Sequence, residues 1–113
     1  MDLSQYTQPD LTEAASTFAA LGSEQRLHVL RTLVRAGPEG LAIGELGERS
    51  GITGSTLTHH MKLLAAAGLV EQVKDGRRII CIAAAFERMQ AVSEFLLKEC
   101  CADSGKGKGH DHG

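Results

Sequence analysis

The sequence predicts a mostly α-helical fold carrying one small β-hairpin, and three observations predict it. Apolar residues recur at helical spacing across residues 11–36 and again across 55–67. Between residues 69 and 83 the pattern changes to two short β-branched runs joined across Asp75-Gly76, a strong hairpin signal. From Ala84 to Cys101 the helical period returns.

Residues 1–10 read as a flexible arm. Leu11, Ala14, Ala15, Phe18 and Leu21 mark a first helix, which Gly22 ends. Ser23 is a good N-cap for a second helix, in which Leu27, Leu30 and Val34 recur before Gly37-Pro38 stops it. Ala42–Arg49 carries a weak helical pattern, Ser50-Gly51 makes a turn, and Thr53 is placed to cap a helix running to Ala67. The runs Leu69–Lys74 and Arg78–Ala83 form the hairpin, and Ala84–Cys101 the last helix. Residues 102–113 are rich in glycine and nearly devoid of apolar side chains, so a disordered tail is expected. The folded part, 11–101, is then a helix-turn-helix followed by a two-stranded wing.

The 113 residues, 42% of them hydrophobic, suffice for one domain with a modest core. No run of 18 apolar residues occurs, which excludes a membrane-spanning helix. Residues 1–10 are polar and lack the layout of a secretory signal, so a soluble, cytoplasmic protein is expected. Common enzyme signatures (GxGxxG, the phosphate-binding Walker loop, HExxH, GxSxG) are missing from the sequence, and the expectation is a protein that is not an enzyme and requires no cofactor.

Charge narrows the function. The net charge of −2 argues against binding nucleic acid by bulk charge. Residues 53–80 nevertheless set Lys62, Lys74, Arg77 and Arg78 against Glu71 and Asp75, a locally basic segment in an acidic chain. On a helical wheel Leu57, Met61 and Leu64 share one face, while Ser55, Thr58, His59 and Lys62 lie opposite, with Thr56 and His60 on the flank. Hydroxyls, imidazoles and a cation suit base edges and phosphates of a major groove. Thr53 at the helix start leaves backbone N–H groups for a phosphate. An ordinary solvated helix shows the same palette; Arg77 and Arg78 at the hairpin turn, placed to enter a minor groove, join it into one double-stranded DNA footprint. His59 and His60 are adjacent and point apart, so they do not form a shared metal site.

LGSEQRLHVLRTL resembles the second-helix signature of the ArsR/SmtB family of metal- and stress-sensing repressors. STLTHHMKLLAAAGLV followed by KDGRRIICI resembles that family's recognition helix and wing. The similarity runs from about Phe18 to Ala83. It implies a winged-helix homodimer, built by the first and last helices, that binds a palindromic operator and is released by an inducer. The stripe Ala85, Met89, Val92 and Leu96, widened by Phe86 and Leu97, supports a dimer helix independently.

The resemblance also implies several possible inducer sites. The segment before the turn, AIGELGERSG, lacks the cysteines one of them needs, and the last helix lacks the histidines of another. What remains is Cys81, Cys100 and Cys101, a strand thiol plus a vicinal pair. This set resembles the family's trivalent-arsenic sensors, including the branch that prefers organoarsenicals. Trivalent arsenic is a soft thiophile, and soft ligands select it. In a continuous helix Cys100 and Cys101 diverge by about 100°, so joint binding requires the helix end to fray. Oxidation or persulfide sensing by the same thiols, and a soft divalent metal (cadmium, lead or zinc) recruiting His110 or His112, remain as alternatives. A thiol-redox enzyme is disfavoured, because Cys100-Cys101 lacks CxxC spacing.

Overall fold

The structure is a computed structural model that describes residues 9–105. Asp10, expected in the arm, instead starts the fold. Its carboxylate accepts the Glu13 N–H at 2.8 Å, while the Glu13 carboxylate accepts the Asp10 N–H at 3.2 Å. That reciprocal cap opens α1, Leu11–Ala20. Ser23 accepts from the Arg26 N–H at 3.2 Å and opens α2, Glu24–Ala36. Arg26 then reaches back, donating Nε–H to the Ala20 carbonyl at 2.7 Å and covering the orphan end of α1. The remainder of the arm, and His110 and His112 of the tail, lie outside the described residues.

Next come β1, Leu41–Ala42; α3, Ile43–Ser50; α4, Gly54–Ala66; β2, Val70–Asp75; β3, Arg78–Ala83; and α5, Ala85–Leu97. The hairpin is part of a three-stranded antiparallel sheet in the order β1-β3-β2. Leu41 pairs with Cys81 and Ala42 with Ile80. Sequence reading missed β1, because two residues carry no period. Its signal was Gly40: at φ +73, a Cβ there would stand 2.3 Å from the Cys81 carbonyl oxygen, so only glycine lets this chain approach β3. The hairpin turn is also one residue later than expected. Asp75 pairs with Arg78, leaving Gly76-Arg77 as the two-residue loop, with Gly76 at φ +65. Glycine with positive φ at the first loop position matches the right-handed twist of the strands.

The core joins Val29, Leu30 and Leu33 of α2 to Leu46, Leu57, Met61 and Leu64, with Leu41, Leu69, Val70 and Cys81 beneath them. The apolar stripes expected on the outer helices need correction. In α1 the inward face is Ala14, Thr17 and Ala20, whereas Leu11 is 74% exposed. In α2 Leu27 and Val34 face outward. In α5 Ala85 and Val92 are buried, while Phe86 is 79% and Leu96 65% exposed. The periodicity was real on these helices, but the protomer buries only part of it. No helix among the described residues is long and apolar enough to cross a membrane.

Candidate nucleic-acid interface and thiol site

α3 and α4 are joined by a tight turn held from three sides. Gly51 closes α3 in the left-handed conformation, φ +76. The Ser50 hydroxyl accepts the Ile52 N–H at 3.2 Å, and His28 Nε2 of α2 lies 3.0 Å from the Ser50 carbonyl oxygen. Ile52 is buried below. α4 therefore leaves the turn at an angle set by α2 and α3, and not by its own sequence.

Leu57, Met61 and Leu64 anchor α4 in the core, as its wheel predicts. Ser55, Thr56, Thr58, His59 and Lys62 are exposed. The Thr58 hydroxyl donates to the Gly54 carbonyl at 3.3 Å and keeps its lone pairs for an outside donor. Thr53 occupies the N-cap position as expected, but its hydroxyl makes no capping bond. The first turn of α4 also contains no acidic residue, so its N–H groups and positive dipole end face solvent uncompensated.

His60 departs from the expected footprint. It is 7% exposed and turned toward α2, its Nε2 2.9 Å from Gln25 Oε1, an acceptor that makes this nitrogen the donor. Nδ1 is buried with no partner in the protein. Burial lowers the His60 pKa, and the nearby charges of Arg26 and His59 lower it further. This imidazole fastens α4 to α2 in its neutral form and does not reach outward. Its flank position on the wheel left the choice open, and contact with α2 decided it.

Arg77 and Arg78 are exposed at the hairpin turn. Among the described residues the ion pair is Arg49–Glu45 at 2.8 Å, and Lys62, Lys74, Arg77 and Arg78 belong to none. The basic segment thus presents uncommitted cations on α4 and on the wing that follows it.

The thiols fall into two separate environments. Cys81 lies mid-strand on β3, fully buried between Leu41 and Gln72 in the sheet register. Burial pushes its thiol pKa up, against a hydrogen bond to Gln72 that pulls it down. Cys100 and Cys101 are exposed beyond α5, which ends at Leu97, four residues short of the expected Cys101. Successive turns carry the chain there: Cys100 N–H donates to the Leu97 carbonyl and Ala102 N–H to the Glu99 carbonyl, each at 2.9 Å. Cys101 takes a left-handed backbone, φ +67, and the two Sγ atoms converge to 3.4 Å. The expected divergence of the pair is therefore overturned, since it assumed a helix through Cys101. Among the described residues no three His, Cys, Asp or Glu side chains gather to hold one ion. The expected three-sulfur set is not assembled within the protomer, because Cys81 is committed to the core.

Residues 21–73 match the family described as helix-turn-helix domain. The chain is 43% identical over 70 residues to YceK, an HTH-type transcriptional regulator of Bacillus subtilis (strain 168), covering 62% of this chain and 69% of that one. It is 32% identical, with a TM-score of 0.63, to the structure of an ArsR-like transcriptional regulator from Rhodococcus sp. RHA1, covering 81% of this chain and 82% of that one. The chain belongs to the ArsR family. The structure of the transcriptional repressor BigR from Xylella fastidiosa is similar as well, at 27% identity and a TM-score of 0.60, covering 81% of this chain and 90% of that one. An ArsR-family regulator binds DNA through its winged helix-turn-helix, which here is α3, α4 and the β2–β3 hairpin.

Proposed function

We propose that this ArsR-family regulator is a homodimeric repressor, released from a palindromic operator when a trivalent arsenical is captured by Cys100 and Cys101. The observation that carries the inducer assignment is the 3.4 Å approach of two exposed thiols. Paired sulfurs on an accessible turn are what a soft, thiophilic centre seeks. An organoarsenical, with one valence already occupied, needs only two sulfurs, and two are what the protomer offers. Cys81 drops from the ligand set to the core.

In the DNA-bound form α4 enters the major groove with Ser55, Thr56, Thr58 and His59 toward base edges and phosphates, and Thr53 at the uncapped helix start. Lys62 neutralises phosphate, and Arg77 and Arg78 take the adjacent minor groove. The exposed apolar residues of α1 and α5 support the dimer, and the similarity to a structure named as a repressor supports the sign of regulation.

The test is operator binding by fluorescence anisotropy with phenylarsine oxide, arsenite, antimonite, cadmium, zinc and polysulfide. Phenylarsine oxide is expected to release DNA from the native chain, and Cys100→Ser or Cys101→Ser to abolish that response at unchanged DNA affinity. Cys81→Ser is expected to keep it. Release by cadmium or polysulfide alone would replace the arsenical assignment. For the DNA footprint, Lys62→Ala is expected to flatten the salt dependence of binding by about 2, one phosphate from each protomer. An unchanged slope removes Lys62 from the contact set.

A further inference from the structure

We propose that Cys100 and Cys101 form a site of reversible oxidation, closing to a vicinal disulfide within one protomer in response to a peroxide. The two sulfurs already lie 3.4 Å apart and both residues are open to solvent. The third thiol, Cys81, is fully buried in the sheet and takes no part.

The chemistry closes with peroxide as the one co-reactant. One sulfur of the pair attacks the peroxide O–O bond; an S–O bond forms, the O–O bond breaks, and water leaves, giving a sulfenic acid. The other sulfur then attacks the sulfenic sulfur. An S–S bond forms, the S–O bond breaks, and the departing hydroxide takes up the second thiol's proton as a second water. Two thiols have lost two electrons and hydrogen peroxide has gained them. The two exposed sulfurs lie 3.4 Å apart, so whichever is oxidised first has the other within reach to resolve it.

The backbone makes this bond a switch and not a staple. Consecutive Cα atoms of a trans peptide stand about 3.8 Å apart, short of the roughly 4.4–6.8 Å a relaxed disulfide spans. A vicinal disulfide is thus strained, and strained, exposed disulfides are the readily reduced ones. The left-handed turn at Cys101 has brought the sulfurs together, where a helix holds them apart.

A disulfide offers no thiolate, so oxidation also closes the pair to arsenicals. That consequence rests on the reading of Cys100 and Cys101 as the inducer site; the disulfide does not. The experiment treats the full chain with stoichiometric hydrogen peroxide. It reads intact mass without reductant, peptide mapping, and phenylarsine oxide uptake before oxidation, after it, and after dithiothreitol. Expected are a loss of two hydrogens, a link mapping to Cys100–Cys101 within one chain, Cys81 still a thiol, and full reversal by dithiothreitol. Phenylarsine oxide uptake falls to background on oxidation and returns on reduction. Gain of oxygen without loss of hydrogen, a crosslink between chains, or a link to Cys81 overturns the proposal. Unchanged uptake by the disulfide form overturns the closure of the pair to arsenicals. Failure of the reduced chain to take phenylarsine oxide sinks the inducer reading alone, since the mass shift judges the disulfide independently.

Discussion

His60 shows how one side chain on a reading helix can serve the scaffold instead of the ligand. Its ring carries the bond from α4 to Gln25 of α2, and its buried Nδ1 has no partner to receive a proton's charge. Protonation is therefore disfavoured in the folded state, and the pKa lies below the ordinary 6.5. The unfolded chain takes up the proton at higher pH than the folded chain, so stability is full above 6.5 and falls as pH drops through it, levelling only below the folded value. Urea midpoints measured at about pH 8 and about pH 5.5 are expected to show this loss in the native chain. His60→Gln, which cannot titrate, is expected to lose most of that pH dependence. An identical loss in the variant would assign it to other groups.

Among the elements, β1 is the smallest and the most exacting. Its entry at Gly40 combines positive φ with a backbone approach that a methyl group would violate. Gly40→Ala is expected to destabilise the domain by about 3 kcal/mol, read as a lower urea midpoint, whereas Gly44→Ala, where a Cβ meets nothing, should be near neutral. β1 was illegible in the sequence for the reason that makes it exacting: its signal is a single glycine and a long-range pairing. α4 and the hairpin were legible, because a repeated apolar period and a two-residue glycine turn are local. The outward set on α4 was legible too, since a wheel needs only the inward anchors Leu57, Met61 and Leu64. His60 and the thiols were not. Which way a flanking imidazole turns depends on α2, and whether Cys100 and Cys101 diverge depends on where α5 stops.

At the scale of the whole molecule, the protomer leaves its most apolar helix faces uncovered. Leu11, Phe18, Phe86, Leu96 and Leu97 are all exposed on α1 and α5, and α1 packs against α5. Large apolar patches on a soluble chain are covered by partners. Leu96→Glu is expected to convert the proposed dimer to monomer in sedimentation at micromolar concentration and to weaken operator binding, because half-sites must be engaged together. Val92→Ala, at a residue buried within the protomer, should instead lower stability by about 1–3 kcal/mol.

Between the wing and α5 there is only Ala84. β3 ends at Ala83, α5 begins at Ala85, and the Ala84 N–H is tied to the Leu69 carbonyl at 2.9 Å, at the root of β2. Strand and helix thus act as a crank with no slack at the elbow. The paired sulfurs sit on the turns just beyond the far end of α5, and torque that reaches this helix meets no linker between it and the wing. Two glycines inserted after Ala84 are expected to leave a dimer that still holds its operator and still takes up phenylarsine oxide, yet no longer lets go of DNA when it does.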